Sequence, residues 1–457
     1  MSAQSRKADN HEGTLASGRE RTGLVARKLA ASILEKVLDE QRPLDAMLDA
    51  EHGIASYRAL IAKDRNLIRA ILGTALRRKG EIEFALSKML DRPLPKRARH
   101  LQHTLSIAAA QILFLDVPDR AAVDLGVTAI AEDGRTARFR GLTNAILRRL
   151  SREKEALLAL ETPPAANLPS WVFKQLRKDF GKARTQSIAS ALTALPPLDI
   201  TVKTDASKWV ERLGGVALSN GTVRLKQKGD VTKLAGFAEG EWWVQDAAAS
   251  LPASLLGDIS GTRVADLCAA PGGKTAQLVM MGANVTALEK SASRLKRLQQ
   301  NLSRLELDAN LIQADLLEIQ ADEPFDAVLL DAPCSSTGTA RRHPDVFWTK
   351  TPEDVASVAK LQREMIDKAA TLLKPGGTLI LSNCSMFKQE GEDLVAGIGK
   401  AHDLIELAPF EKGEFPFIDP YITGQGTART LPDGLPNEDP ELSGMDGFFV
   451  ARFHRRS

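Results

Sequence analysis

Two cysteines and an aspartate carry the reactive chemistry that this sequence offers. Asp331-Ala332-Pro333-Cys334-Ser335-Ser336-Thr337-Gly338 follows the apolar run 327–330, and Asn383-Cys384-Ser385 follows the apolar run 378–381. Each run reads as a strand that stops at a reactive residue. Both thiols are therefore expected at the C-terminal edge of one parallel sheet, where open α/β sheets bind ligands. A cysteine at a strand end is most often a small buried hydrophobe. Here, however, a carboxylate stands three residues before a thiol, across a turn stiffened by Pro333. A positioned acid beside a thiol implies thiol chemistry on a substrate held next to a cofactor.

The cofactor's seat is expected on a neighbouring strand. Residues 262–266 read as a strand, and Cys268-Ala269-Ala270-Pro271-Gly272-Gly273-Lys274-Thr275 turns from it into a helix over 276–281. Backbone N–H groups at a helix start suit a bound ligand. Gly273-Lys274-Thr275 imitates the end of a phosphate-binding loop, but Cys268 stands where that loop requires glycine, and no G-x-G-x-x-G for a dinucleotide occurs. Successive strand candidates end in acids instead: 284–288 at Glu289, 310–314 at Asp315 and 326–330 at Asp331. An acid about 20 residues past a glycine loop accepts from ribose hydroxyls, which assigns Glu289 to that task. Asp315 would border an adenine, and Asp331 would lie nearest the chemistry. Such acids fit an adenosine ligand that carries a cation better than a polyphosphate, and S-adenosylmethionine is such a ligand.

The elements that hold these residues follow from pattern and composition. A length of 457 residues allows about three domains, and 43% hydrophobic with 26% charged residues is ordinary for a globular chain. A net charge of +3 is compatible with a polyanionic partner. Three cysteines without a C-x-x-C pair exclude a disulfide framework and argue against structural zinc, so a reducing cytoplasm is expected. His343 has no second ligand at helical or hairpin spacing, and no metal is expected. Residues 1–23 are polar and charged, a disordered tail rather than a signal peptide or membrane span. Over 24–152, Leu29, Ile33 and Val37, then Ile68, Leu72 and Leu76, repeat at helical spacing, which predicts an all-α bundle. Its basic clusters, Arg77-Arg78-Lys79, Lys96-Arg97-Ala98-Arg99-His100, residues 135–140 and Arg148-Arg149, would suit a phosphate backbone. Thr162-Pro163-Pro164 reads as a linker. A small α+β module is expected over 163–240, with a helix over 171–195 and strands at 198–203 and 222–226 around a helix near Trp209. The α/β sheet would occupy 241–457, opening at Trp242-Trp243 and closing with a terminal strand within 444–453.

Two stretches then resemble known families. Ala122-Val123-Asp124-Leu125-Gly126-Val127, with Gly141-Leu142-Thr143-Asn144-Ala145-Ile146-Leu147-Arg148-Arg149-Leu150, resembles the closing helices of the NusB RNA-binding fold. Asp266-Leu267-Cys268 through Thr275, the Asp331 to Gly338 motif, Arg341-Arg342-His343-Pro344-Asp345 and Asn383-Cys384-Ser385 resemble the RNA cytosine-5 methyltransferases. Joined together, the stretch from about Leu24 to Phe453 is similar to the RsmB family of bacterial 16S rRNA methyltransferases. The resemblance implies an N-terminal NusB-like all-α bundle, a small α+β module and a C-terminal Rossmann-like class I methyltransferase sheet.

The same resemblance implies that Cys268, Ala269, Ala270, Pro271, Gly272, Gly273 and Lys274, with Glu289, Asp315 and Asp331, bind S-adenosylmethionine. Cys384 would be the nucleophile, Cys334 would serve product release, and Asp331 would contact the base. Ser336 stands where the family often has Gly or Ala, and Asn383 where Thr is common. The implied substrate is a specific cytosine, of the 967 type, in 16S rRNA, met in an unassembled or partly assembled small subunit by a cytoplasmic monomer with no membrane partner.

Carbon 5 of cytosine is too poor a nucleophile to take a methyl group directly, so a thiolate must first add at carbon 6. Arg341, Arg342 and Lys274 are the cations expected to favour that thiolate. The base must be single-stranded or flipped to reach it. Phe347, Trp348 and Lys350 would either line an RNA channel or pack internally. Because the catalytic motifs are shared, a transfer RNA methyltransferase is the second reading. A non-catalytic NusB-like RNA-binding factor is the third.

Overall fold

Helical spacing and strand pairing sort the chain into two compact units, Met1–Phe173 with His343–Thr349, and Lys174–Arg342 with Lys350–Ser457. The structure, a computed structural model, describes residues 23–49, 51–95, 97–226, 229–398 and 402–457, together with the backbone of the helix Ser5–Glu40. That helix begins within the stretch expected as a tail, and the side chains before Gly23 lie outside the described residues.

In the first unit the apolar spacing gives the helices Ser5–Glu40, Ala62–Arg77, Lys79–Met89, Arg99–Phe114, Asp119–Glu132 and Arg140–Arg152. Ile33, Val37, Ile68, Leu72 and Leu76 are buried in one shared core with Leu105, Ile112 and Leu147. Gly126 permits the last two of these helices to approach, since a Cβ there would lie 3.0 Å from Leu147 Cδ1. His343–Thr349 belongs to this unit as well. Leu44 N–H donates to Asp345 Oδ2 at 2.9 Å, His343 Nδ1 lies 2.8 Å from Asp45 Oδ2, Phe347 is buried, and Trp348 packs on the helical core. For Phe347 and Trp348, packing therefore replaces the channel-lining role.

The Arg77-Arg78-Lys79 cluster is also committed internally. Arg78 pairs with Glu81 at 2.7 Å and lies 4.6 Å over the Phe114 ring, Lys79 pairs with Glu83, and Arg77 Nη1 donates to Gly73 O. Arg138, Arg140, Arg148 and Arg149 are exposed.

The second unit contains two sheets. β1 (Leu198–Val202), β2 (Val216–Ala217), β3 (Val223–Leu225) and β4 (Trp242–Val244) form an antiparallel sheet in the order β2-β3-β1-β4. Trp242 and Trp243 thus end the small sheet, where the expectation had them open the last domain. The reason is packing: Trp242 is fully buried against Phe237, ring centroids 5.4 Å apart, and its Nε1 donates to Ala235 O. The helix Ser170–Thr193 that leads into this sheet is broken at Gly181 (φ 76°, ψ 174°) rather than continuous.

β5 (Arg263–Leu267), β6 (Asn284–Glu289), β7 (Asn310–Gln313), β8 (Phe325–Asp331), β9 (Leu373–Asn383), β10 (Ile405–Leu407), β11 (Ala428–Thr430) and β12 (Phe448–Arg455) build the larger sheet. Its order is β10-β12-β9-β8-β5-β6-β7, with β11 beside β12. The five strands from β7 to β9 are parallel, and β12 runs antiparallel between β9 and β10 as an interior strand, with Phe449 and Phe453 fully buried. The chain lays β5, β6 and β7 outward, then returns to place β8 on the other side of β5. Strand order reverses there, and a crevice opens outside the carboxyl ends of β5 and β8. Among the described residues, no helix is long and apolar enough to cross a membrane.

Candidate active site

Register alone brings the reactive residues together. In the parallel pair β8 and β9, Asp331 lies opposite Ser382, and Ser382 Oγ donates to Asp331 Oδ1 at 2.9 Å. The chain continues past these ends to Cys334 and Cys384, whose Sγ atoms are 3.3 Å apart. Gly338 N–H donates to Cys384 O at 2.8 Å and Gly447 N–H to Gly338 O at 2.9 Å. A Cβ on Gly338 would meet Gly447 O at 1.9 Å, so the turn requires glycine.

The two substituted motif positions both serve this geometry. Ser336 sits at φ 58° and donates its N–H to Cys334 Sγ at 3.4 Å. Buried Asn383 donates from Nδ2 to Glu390 O at 2.6 Å and accepts from Ser385 N–H at 3.0 Å.

The thiols are electrostatically unequal. The hydrogen bond from Cys334 holds Cys384 below the ordinary thiol range, against burial and the Asp331 carboxylate. The same contact, followed by burial, pushes Cys334 well above it. Of the cations expected to favour the Cys384 thiolate, Arg342 faces Cys384 across a cavity and feels its charge, while all three also have partners of their own. Lys274 Nζ lies 2.7 Å from Asp331 Oδ2, Arg341 donates to Ser443 O, and Arg342 pairs with buried Asp446. The largest influence that lowers Cys384 is the Cys334 thiol 3.3 Å away, fifty residues off in sequence.

Two cavities meet at these residues. One, of about 600 Å³, is walled by the acid-tipped strand ends: Cys268, Glu289, Asp315, Asp331, Cys334 and Cys384 line it, with Leu361 and Met365 as an apolar side. Glu289 is 3% exposed. Its Oε1 accepts from Ser291 N–H, while its buried Oε2 accepts no hydrogen bond among the described residues and has Arg294 Nη2 at 3.5 Å. Asp315 is held below the usual carboxylate range by the Lys290 ammonium 2.6 Å away.

The second cavity, of about 400 Å³, contains Trp243, Arg304, Arg342 and Phe448, and shares Asp331 and Cys384 with the first. Of the glycine loop, Cys268 faces the first cavity, whereas Ala269, Ala270, Pro271, Gly272, Gly273 and Lys274 line the second. Cys268, at φ 64°, has its thiol pushed up to about 12, by burial first and then by the surrounding carboxylates, which unfits it as a nucleophile.

Lys290, Arg294, Leu361 and Met365 were not among the site residues read from sequence. Lys290 and Arg294 could have been suspected from their place just past Glu289. Leu361 and Met365 lie on the helix Pro352–Thr371, and their spacing there is that of any amphipathic helix.

Asp266, fully buried at the end of β5, accepts from Thr275 Oγ1 at 2.6 Å, and its Oδ1 has no hydrogen-bond partner among the described residues. Burial pushes its carboxyl up to about 7. The folded value lies above the unfolded one near about 4. Its stability contribution is therefore greatest below that unfolded value and is lost as pH rises through about 7. Asp266→Asn should accordingly raise the melting temperature more at pH 8 than at pH 4. A gain equal at both values, in paired thermal melts, would show that Asp266 does not titrate between them.

Comparison with known proteins points the same way. Residues 253–454 match the family model described as 16S rRNA methyltransferase RsmB/F, and residues 24–152 match the NusB family. "Ribosomal RNA small subunit methyltransferase B" of Xanthomonas campestris is 36% identical over 81% of this chain and 86% of that protein. The protein of the same name from Vibrio cholerae is 34% identical over 93% and 96%. The solved structure of PH0851 shares the fold at a TM-score of 0.67 and 22% identity, over 93% of this chain and 98% of that one. A methyltransferase homolog from Pyrococcus horikoshii is 27% identical, with a TM-score of 0.51, over 62% of this chain and 94% of that one.

Proposed function

The chain belongs to the RsmB/F family of 16S rRNA methyltransferases, and from that premise we propose that it transfers a methyl group from S-adenosylmethionine to carbon 5 of one cytosine of 16S rRNA, of the 967 type, through a covalent Cys384 adduct. The observation that carries this reading is the position of Asp331 and Cys384 on the wall between two cavities. A donor on one side and a base on the other would meet at the same carboxylate and thiol.

The first cavity suits the donor. Glu289 Oε2 is a buried acceptor that takes no hydrogen bond among the described residues, with Arg294 Nη2 at 3.5 Å, and a ribose hydroxyl could donate to it; Asp315 and Asp331 add negative charge for a cationic ligand. When bound, S-adenosylmethionine supplies an electrophilic methyl group on a sulfonium. The chain's residues do the rest. Cys384, held toward its thiolate by the Cys334 S–H, adds to carbon 6, and Asp331, braced by Lys274 and Ser382, accepts from the exocyclic amine and, as N3 takes up a proton during the addition, from N3–H. Carbon 5 thereby gains the electron density to take the methyl group. Loss of the carbon 5 proton to a water-borne base then expels the Cys384 thiolate, and the Cys334 S–H, within 3.3 Å of it, is placed to assist that release by donating to the departing sulfur.

The RNA is met as an unassembled or partly assembled small subunit, by a monomer in the cytoplasm, with the target base flipped or single-stranded. Mapping 5-methylcytosine in rRNA from cells lacking and regaining the gene tests the assignment. A mark that persists without the gene, or appears in transfer RNA instead, overturns it.

Glu289→Ala should weaken S-adenosylmethionine binding about ten- to hundredfold, the worth of one or two hydrogen bonds to a charged group, while leaving RNA affinity unchanged. Calorimetric titration with unaltered cofactor affinity would remove Glu289 from the site.

A further inference from the structure

Each reactive cysteine is followed by a serine, and both serines end on the same carboxylate. Glu390 is fully buried at the end of the short 3-10 helix Lys388–Glu390, two residues before the helix Glu392–Ile398. Its Oε1 accepts from Ser335 N–H at 2.8 Å, and its Oε2 accepts from Ser335 Oγ at 2.5 Å and from Ser385 Oγ at 2.6 Å. Gln362 Nε2 approaches Oε1 at 3.4 Å, and the Glu390 carbonyl accepts from Asn383 Nδ2 at 2.6 Å. An ionised carboxylate removed from water is costly unless nearly every lone pair is met. Here the three closest donors come from the two loops that carry the thiols.

We propose that Glu390, which touches no reacting atom, is a positioning residue that fixes Cys334 and Cys384 against each other through Ser335 and Ser385. The inference rests on the covalent reading above for its catalytic meaning, but the clamp itself is a statement about two loops. β8 and β9 end at Asp331 and Asn383, and beyond Ala332 N–H to Ser382 O the loops meet through Gly338 N–H to Cys384 O and Met386 N–H to Thr337 Oγ1. Glu390 adds a charged anchor that both loops share at the residues next to the thiols. The carboxylate also acts on the pair electrostatically. After the hydrogen bond given to Cys384 and burial, its negative charge adds to what holds Cys334 in the thiol form. That is the form which donates to Cys384.

Glu390→Gln keeps the shape and removes the charge. Its carbonyl can serve Ser335 N–H, but its amide donates where the carboxylate accepted, so both hydroxyls must turn their protons to other oxygens and the two charge-assisted bonds are lost, which loosens the clamp. The experiment measures, for wild type and Glu390→Gln, the pH dependence of alkylation of Cys334 and of Cys384 by iodoacetamide, read by peptide mass spectrometry. It also measures kcat and the KM for S-adenosylmethionine. The expected result is that the two alkylation midpoints draw together and kcat falls at least about tenfold, within the roughly hundredfold that a 1 Å misplacement costs, while KM stays within about twofold.

Ser385→Ala, which removes one arm of the clamp, carries the same readouts if Glu390→Gln melts early. Wild-type alkylation profiles in a folded variant, whatever its kcat, overturn the proposal. Failure of the covalent reading looks different: Cys384→Ala would then methylate normally, while Glu390→Gln would still shift both thiol profiles.

Discussion

Cys384→Ala is expected to abolish methyl transfer and to leave no covalent RNA adduct, whereas Cys334→Ala is expected to accumulate one. The loss in the first variant should be on the order of 10⁴- to 10⁶-fold, the range seen when a member of a covalent catalytic unit is removed. The asymmetry follows from the unequal thiols. Cys384 is favoured as thiolate because Cys334 donates to it, and the same bond makes Cys334 the poorer nucleophile. Removing Cys334 takes away that donor, so attack slows, but carbon 6 still has a thiol to meet. Release suffers more, because the departing Cys384 sulfur loses the S–H 3.3 Å away. The measurement is an RNA-protein band that survives denaturing electrophoresis. An adduct in Cys384→Ala and not in Cys334→Ala reverses the two roles, and normal methylation by both variants sinks the covalent mechanism.

Asp331→Asn is the second large effect. Asp331 accepts from Ser382 Oγ, pairs with Lys274, and borders both cavities, so it is held rigidly where base and donor would meet. Asparagine keeps the size but cannot complement the Lys274 ammonium, and it offers the base an amide where a carboxylate stood. At saturating cofactor, kcat should fall by about 10²- to 10⁴-fold, as for a lost general acid or base. Cofactor affinity should fall much less, since Glu289 and Asp315 remain. A kcat within about threefold of wild type, measured with both substrates saturating, would exclude Asp331 from the chemistry. This variant and Cys384→Ala should also be strongly non-additive, because both act on one covalent step.

Much of this arrangement is legible in the sequence, for a physical reason. Parallel strands buried on both faces are short apolar runs, and a run that stops at Asp331, Asn383, Glu289 or Leu267 marks a strand end directly. Crossover rules then put those ends on one edge. What the pattern does not encode is anything set by a partner far along the chain. Cys334 and Cys384 are fifty residues apart, and their contact depends on the register of β8 against β9. Glu390 reads as one more polar residue at the start of a helix until its two serines converge on it. Trp242 looks like the opening of a new domain because its burial depends on Phe237 and Ile200 in the small sheet. Arg78 and Lys79 look like a phosphate surface because Glu81 and Glu83, a helical turn away, are visible as partners once the helix is built. Charge clusters and aromatic pairs are the features whose meaning the fold decides.

The seven residues His343–Thr349 make the first unit discontinuous along the chain, and that has a consequence for how the protein is made. As the N-terminal segment leaves the ribosome, its helices can form, but the places filled by Phe347 and Trp348 and the acceptor for Leu44 N–H are not yet synthesised. At roughly 5–20 residues per second, the missing segment arrives on the order of ten seconds or more after residue 173 has been added. During that interval water serves Leu44 N–H, while the apolar surface that Trp348 later covers stays exposed and gives a holding chaperone something to bind. Cutting the gene after residue 173 would make that temporary state permanent.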